Sequence, residues 1–447
     1  MTETATSQAI QANRPTPLAT LLAQVATLPG AVKSERANCE QLAAPQVPYR
    51  GCLTPRELDA PGRETAALIS AAAAHDLGWL RRVAVRGEDR FRWLSGMVTN
   101  TINDLGENAG TWNLVLNAQG RIQGDLYVWR EGDSLTLTIA ADQYDRLLSH
   151  LERFIIMDDV ELAPLSVYAN GELSEDSALG LSGPLAADVL ARLGLPAPAE
   201  PLTSARAAER AALHGPACNG PDGNGSAVRV VRGYGVLAPH YEIWTRAAEI
   251  PALWQALTEA GAIPVGAATL EAFRIAEGIP AYGIDIAERD LPQEAVPQVA
   301  ALPGAIKSVR AKSEQLAPPQ VVLSFNKGCY LGQEIVERIR SRGSVHRHLR
   351  QLEIFGPVPA AGTELTTDDG SLAGKITSAA ELLLPNESRI FALGMMRGEA
   401  ELHNQLFTYT DGAVTGTAWI LAAPPKLESA GKSASQKFKE ETENHER

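Results

Sequence analysis

Lys327-Gly328-Cys329-Tyr330-Leu331-Gly332-Gln333-Glu334, continuing into Ile335-Val336-Glu337-Arg338, carries more chemistry per residue than any other part of the chain. It predicts a turn feeding a helix. Gly328 and Gly332 let the backbone bend or pass close to a neighbour. Leu331, Ile335 and Ile339 then recur at the spacing of one helical face. Unpaired N–H groups where such a helix begins can receive a carboxylate or phosphate. Lys327 places a positive charge beside Cys329, and both features favour the thiolate. Gln333 and Glu334 can hydrogen-bond a heteroaromatic edge bearing N–H and C=O groups. The same residues also fit a plainer account, with Cys329 a small packing residue and Glu334–Arg338 an ordinary i,i+4 pair.

Downstream, Lys327, Arg338, Arg340, Arg342, Arg347 and Arg350 face only Glu334 and Glu337 over the same stretch, with His346 and His348 among them. Such a cationic wall suits an anionic ligand tail; a solvated basic helix face is the alternative. Beyond Arg350, short β-rich runs (Gln351–Phe355, Gly374–Ser378, Ile390–Met396, Gln405–Tyr409, Thr417–Leu421) predict a small β-barrel. Residues 426–447 are charged, low in apolar content, and expected to be a disordered tail.

Upstream of the segment lies a repeat. Gln24–Val47 (QVATLPGAVKSERANCEQLAAPQV) matches Gln298–Val321 (QVAALPGAIKSVRAKSEQLAPPQV) without a gap. Two distant copies do not make a solenoid, which needs about three contiguous units. They read either as a paired docking element or as a duplicated surface loop.

Between the copies, the pattern is α+β. Thr65–Ala74 reads as helix, Trp79–Val85 as strand and Glu88–Met97 as a short helix. Thr111–Leu116, Arg121–Arg130 and Ser134–Ala140 read as strands joined by the Gly- and Asn/Asp-bearing turns Asn117–Gly120 and Glu131–Asp133. Tyr144, Leu147, Leu148, Leu151, Phe154 and Ile155 recur at helical spacing. A second unit repeats the theme, with strands at Ala178–Gly183 and Tyr241–Thr245 and helices at Pro184–Leu193, Ala248–Ala260 and Ala267–Glu277. The Gly/Pro/Asn-rich stretch His214–Ser226 reads as a flexible loop. His75-Asp76 is expected at a helix end, where adjacent side chains diverge.

Bulk properties narrow the classes. A 45% apolar, 21% charged chain of 447 residues is an ordinary multi-domain globular composition. A net charge of −13 disfavours general affinity for nucleic acid or anionic membrane. Cys39, Cys52, Cys218 and Cys329 have neither CxxC nor framework spacing, so a reducing compartment and no metal site are expected. The polar, Pro/Thr-rich start is unlike a signal peptide, and Ala66–Ala74 is too short to span a bilayer. A cytoplasmic location follows as the expectation. HExxH, GxSxG, Walker and Rossmann patterns are absent.

The Lys327–Glu334 segment resembles the KGC(F/Y)xGQE signature of the YgfZ-type folate-binding proteins, relatives of the glycine-cleavage T-protein aminomethyltransferases, at every signature position. Arg274-Ile275-Ala276-Glu277-Gly278-Ile279-Pro280-Ala281-Tyr282-Gly283-Ile284-Asp285 resembles the family's RIEAGIPxxGxD, with the glutamate displaced by one place, which leaves the role of Glu277 open. Leu291-Pro292-Gln293-Glu294 corresponds to the stretch that leads to the signature, from which the second repeat copy separates it. Val85–Arg90 through Leu94, Thr99 and Asn100 is similar to VxGxDRxxFLxxxxTND, and Gly374–Ser378 to the GxxTS of a carboxy-terminal barrel. Gly120–Leu126 resembles a GxxxxDL hairpin shared with the T-proteins; where those enzymes have two adjacent aspartates, this chain has Gly124 and Asp125.

The resemblance implies an α+β, three-domain ring: two related α+β domains with antiparallel sheets and a small C-terminal β-barrel. The implied division is 1–62 as an N-terminal extension with the first repeat copy, 63–165 and 166–295 as the two domains, 296–321 as the inserted second copy, 322–347 as the signature segment packed on domain 1, 348–425 as the barrel and 426–447 as the tail. The implied ligand is tetrahydrofolate or a one-carbon-substituted folate, bound by Lys327, Gly328, Tyr330, Gly332, Gln333, Glu334, Arg338 and Arg274, with Cys329 and Asp125 as the reactive groups. The implied role is a tetrahydrofolate-binding accessory protein for iron–sulfur cluster assembly or repair, including enzymes that modify tRNA, with iron–sulfur client enzymes or assembly factors as partners and no direct nucleic-acid or membrane binding. Whether the chain turns over a substrate is left open, with a non-enzymatic role favoured; an enzymatic role would be folate-dependent, aminomethyltransferase-like one-carbon transfer. The alternatives are a T-protein-like aminomethyltransferase and a non-enzymatic interaction module that docks through the repeats.

Overall fold

The computed structural model describes residues 14–26, 44–166, 168–169, 172–173, 176–207, 228–295, 322–342 and 345–427. The second repeat copy, most of the first, the 214–226 loop and nearly all of the 426–447 tail lie outside these.

Alternating apolar residues build the first sheet, which is antiparallel throughout and runs in the order Gly110–Leu116, Ile122–Glu131, Ser134–Ala140, Leu80–Arg86, Glu161–Pro164. One face of each strand supplies Val83, Val85, Val115, Leu126, Val128, Leu135, Leu137 and Ile139. These pack against Trp93 and Leu94 of the helix Arg90–Met97 and Leu147 and Leu151 of the helix Tyr144–Glu152. The opposite face carries Trp112, Asp125, Tyr127 and Trp129, consistent with the two-residue period of a strand.

The second sheet follows the order Thr203–Arg206, Arg229–Arg232, His240–Arg246, Asp176–Ser182, Ala73–Asp76, Ile263–Val265. Only its last pair is parallel. Leu179, Leu181, Val230 and Ile243 face outward, against the helices Ala186–Arg192 and Ile250–Glu259. Its other face meets the first sheet, where Trp129 and Trp244 form an edge-to-face pair with centroids 5.8 Å apart. The two sheets are thus the inner layers and the helices the outer ones.

A closed six-stranded barrel (Arg347–Phe355, Ser388–Arg397, Leu372–Leu383, Glu364–Thr366, Leu406–Asp411, Val414–Ile420) completes the fold. The expected α+β architecture with antiparallel sheets and a terminal barrel is the one observed. Asp285 ties its parts together. Its carboxylate accepts from Thr377 and Ser378 of the barrel (2.7 and 2.6 Å) and from Arg274 and the Ala281 N–H (2.7 and 2.9 Å).

One element departs from the reading above. The helix expected over Thr65–Ala74 spans Pro61–Ser70, and Ala73–Asp76 is a strand, hydrogen-bonded between Asp176–Ser182 and Ile263–Val265. Alanine favours helix in isolation, but here sheet pairing on both edges and complete burial override that preference. His75 and Asp76 therefore sit mid-sheet, not at a helix end. Among the described residues, no helix is long and apolar enough to cross a membrane.

Candidate functional site

Where the inner faces part, they leave a cavity of about 200 Å³. Trp112 and Tyr127 stack at 14° with centroids 5.8 Å apart, and Tyr234 tilts against Trp112 at 5.7 Å, so one wall is broad and aromatic. Asp125 enters from the first sheet. Its carboxylate accepts from Trp112 Nε1 and from Gln143 Nε2, both at 2.9 Å, while its own N–H donates to Gln143 Oε1 at 3.0 Å. Gln143 thereby holds both ends of the residue, fixing the carboxylate at the wall.

Gly124 leaves a space beside Asp125 that the Gln143 and Leu147 side chains fill. A Cβ there would fall 2.5 Å from Gln143 Oε1 and 2.8 Å from Leu147 Cδ1. The group that orients Asp125 occupies the space a second side chain would need.

Two further acids line the cavity from the other side. Glu277, at the end of the helix Ala267–Glu277, accepts from the N–H groups of Val236 and Leu237 at 2.8 and 2.9 Å. Burial nevertheless pushes its carboxyl up to about 7. Glu242 accepts from Trp244 Nε1 at 2.7 Å and is likewise raised by burial. His75, Ser182 and His240 complete this wall. Burial lowers both imidazoles, that of His240 to about 4.

The tip of a short N-terminal hairpin (Gln46–Tyr49 and Cys52–Pro55) adds Tyr49 and Arg50. Arg50 pairs with Asp142 at 3.4 Å, and burial raises the Tyr49 phenol. Arg274 also lines the cavity but is fully engaged, donating to Glu271, Asp285 and the carbonyl of Ile279. Burial opposes its charge; Asp285 and Glu271 more than offset that and raise it.

The structure thus brings Asp125 and Arg274 to one cavity and places the signature segment elsewhere. Lys327, Gly328, Cys329, Tyr330, Gly332, Gln333, Glu334 and Arg338 do not line it. Lys327 Nζ donates to the carbonyls of Ser95, Val98 and Asn100 at 2.6–2.7 Å, capping the C-terminal end of the helix Arg90–Met97. Its burial lowers the ammonium to about 7. Gly332 lies against the Asn117–Gly120 turn, and Leu331 N–H donates to Gly96 O at 2.9 Å. Tyr330 is buried; Gly328 and Cys329 are exposed. Glu334 and Arg338 form an exposed i,i+4 pair at 2.7 Å. Two glycines announce close backbone approach, but their spacing does not say whether the neighbour is a ligand or another turn.

Among the described side chains, the arginines of the expected cationic wall are paired off as well. Arg347 bonds Asp290 and Glu294, Arg350 bonds Glu401, and Arg340 lies beside Glu337. The first three partners are more than fifty residues away in sequence, which made the charge look unbalanced locally. His75, Ser182, His240 and Glu242 went unrecognised as site residues. A signal existed for two of them: alternation along the strand His240–Arg246, read from the sequence only as Tyr241–Thr245, puts His240 and Glu242 on one face.

A family model described as the GCVT N-terminal domain matches residues 40–300, more than half of the chain. This chain belongs to the GCVT N-terminal domain family. Among relatives of this GCVT-domain protein, an aminomethyltransferase of Rubrobacter xylanophilus is 27% identical over 80% of the chain and 85% of its own length. A tRNA-modifying protein YgfZ of Cronobacter sakazakii is 25% identical over 77% of the chain and 91% of its own length. The crystal structure of the glycine cleavage system aminomethyltransferase T from Bartonella henselae superposes with a TM-score of 0.65, covering 88% of this chain and 96% of that one at 20% identity. That likeness concerns the fold. Within it, this GCVT-domain chain carries Gly124 and Asp125 at the hairpin position, one carboxylate rather than two.

Proposed function

We propose that the cavity binds tetrahydrofolate or a one-carbon-substituted folate, and that the chain is an accessory protein for the assembly or repair of iron–sulfur enzymes, including those that modify tRNA. The observation that carries this reading is a separation of two sites. An aromatic cavity rich in acceptors lies between the sheets, and a thiol stands in the open on the outside.

The cavity suits a flat, nitrogen-rich ring. Its volume exceeds the roughly 150 Å³ that admits benzene, Trp112 and Tyr127 offer stacking faces, and Asp125, Glu242 and Glu277 offer acceptors to N–H groups. When bound, the folate supplies a carrier for a one-carbon unit. Asp125, fixed by Trp112 and Gln143, would orient that carrier. Outside, Lys327 and Tyr330 are anchored on either side of Cys329 and leave the thiol exposed. A residue so presented fits contact with an iron–sulfur client or assembly factor, the role that the signature's resemblance to YgfZ-type proteins implies.

An anaerobic fluorescence titration with tetrahydrofolate tests the first half. Saturable binding in the micromolar range, about −8 kcal/mol, is expected, weakened at least about tenfold in Asp125→Asn by loss of a charged acceptor and unchanged in Cys329→Ala. Absence of saturable binding overturns it. For the second half, cells lacking the chain should regain iron–sulfur enzyme activity with wild type and not with Cys329→Ala.

A T-protein-like aminomethyltransferase is the second reading, favoured by the placement of Asp125 in the cavity. It requires methylenetetrahydrofolate to form from a lipoylated aminomethyl donor, with acid–base help at the folate nitrogen. With Gly124 in place of a second acid beside Asp125, that product is not expected.

A further inference from the structure

We infer that His75, Ser182 and His240 form a neutral proton relay in the cavity wall, exchanging a proton with a nitrogen of the bound ligand. The three residues come from neighbouring strands of the second sheet, and all line the cavity. Ser182 Oγ lies 2.9 Å from His75 Nε2 and 2.9 Å from His240 Nδ1. The two imidazoles stack at 13°, centroids 5.6 Å apart. Gly180 makes room for them, since a Cβ there would fall 1.9 Å from His75 Cε1. His75 is 2% exposed and its Nδ1 has no hydrogen-bond partner. An unpaired buried polar atom is costly, and a ligand N–H or ring nitrogen reaching it would recover that cost.

The partners dictate where the hydrogens sit. With His75 protonated on Nε2, it donates to Ser182, the hydroxyl donates to His240 Nδ1, and the His240 hydrogen is on Nε2. A ligand proton arriving at His75 Nδ1 sends the Nε2 proton to Ser182 Oγ and the original hydroxyl proton to His240 Nδ1. The Nε2 proton of half-buried His240 then leaves to water. One ligand N–H bond breaks and one bond from hydrogen to water forms, three bonds to hydrogen form and three break within the relay, and no relay residue carries charge at either end. Burial disfavours imidazolium at both rings, so a route without it is the one this wall supports.

Acyl chemistry at Ser182 is the other use of a serine–histidine contact. Here the Gly183 N–H donates to Pro239 O and residue 184 is proline, so the backbone donors that would receive an oxyanion after the serine are spent or missing.

The inference rests on the folate reading only for the ligand's identity. Full-length protein labelled with ¹⁵N-histidine reports each ring's tautomer through long-range ¹H–¹⁵N correlations. Both rings should stay neutral from about pH 5 to 8 and occupy matched tautomers, protonated on Nε2 in both or on Nδ1 in both. Saturating tetrahydrofolate should shift the two rings together in wild type, and Ser182→Ala should uncouple them. If that variant does not fold, the wild-type tautomers and their response to ligand decide alone. Mismatched tautomers, a ring titrating near its ordinary value of about 6.5, or rings indifferent to bound ligand would each overturn the relay. Matched, neutral rings in a protein that binds no tetrahydrofolate would support the relay and remove the folate assignment instead.

Discussion

Gly332 and Gly120 meet backbone to backbone: a Cβ on Gly332 would lie 3.0 Å from Gly120 Cα and 2.6 Å from Asn117 O. The contact closes from the other side too, because a Cβ on Gly120 would fall 2.8 Å from Ile335 Cβ. Gly332 also has φ +83°, a conformation that side chains rarely adopt. Gly332→Ala should therefore lower stability by about 2–3 kcal/mol, strain and overpacking together. Gly328→Ala, with nothing within 4 Å of the new methyl, should stay within about 0.5 kcal/mol. Urea midpoints compare the two; equal midpoints would show that the second glycine is not there for docking.

Asp285 gathers two sequence motifs into one network. It receives Arg274 from the Arg274–Asp285 stretch and Thr377 and Ser378 from the barrel's Gly374–Ser378. Removing Asp285 leaves Arg274 with Glu271 as its one carboxylate partner and strands the Ala281, Thr377 and Ser378 donors, so Asp285→Ala should cost about 3–5 kcal/mol. Thr377→Val removes one of several donors and should cost about 1 kcal/mol. Hydrogen exchange over Leu372–Leu383 should rise in the first variant and barely change in the second. Similar losses in both would mean that the node is not shared between the barrel and the helix.

Cys329 and Cys52 differ sharply in access, the first exposed and the second 0% exposed. Iodoacetamide applied to native protein should modify Cys329 and spare Cys52 until urea unfolds the chain; peptide mass spectrometry distinguishes them. Cys329→Ala should change stability by no more than about 0.5 kcal/mol, so any loss of function it causes would be chemical. Equal labelling of the two thiols in native protein would contradict the placement.

Local rules made the strand alternation of the first sheet readable, because one face packs on helices and a one-residue slip would invert every side chain. The turns at Asn117–Gly120 and Glu131–Asp133 and the face of Tyr144–Glu152 were readable for the same reason. Ala73–Asp76 was not, since its strand character comes from two distant neighbours rather than its own alanines. In the site, Asp125 and Arg274 could be picked from motifs. The histidine pair could not: His75 and His240 meet only because their strands flank Asp176–Ser182. The signature's lysine looked like a ligand group because nothing in its octapeptide reveals the three carbonyls, over two hundred residues away in sequence, that hold it.

Glu277 should leave a mark on the pH dependence of stability. Its carboxyl, ordinarily at 4.5, is pushed up to about 7 by burial, so between those values the folded chain binds more protons than the unfolded one. Stability then falls as pH rises through this window, by an amount on the order of 3 kcal/mol when 2.5 units are converted at 1.36 kcal/mol each. Glu277→Gln keeps an oxygen to accept from Val236 and Leu237 but cannot ionise. Relative to wild type, the variant should gain stability progressively from about pH 4.5 to 7 and keep a constant advantage above that. Urea melts at pH 4.5, 6 and 8 read the difference directly. A variant whose curve runs parallel to wild type across the range would show that this carboxylate is already ionised at little cost, stabilised by the amides it faces.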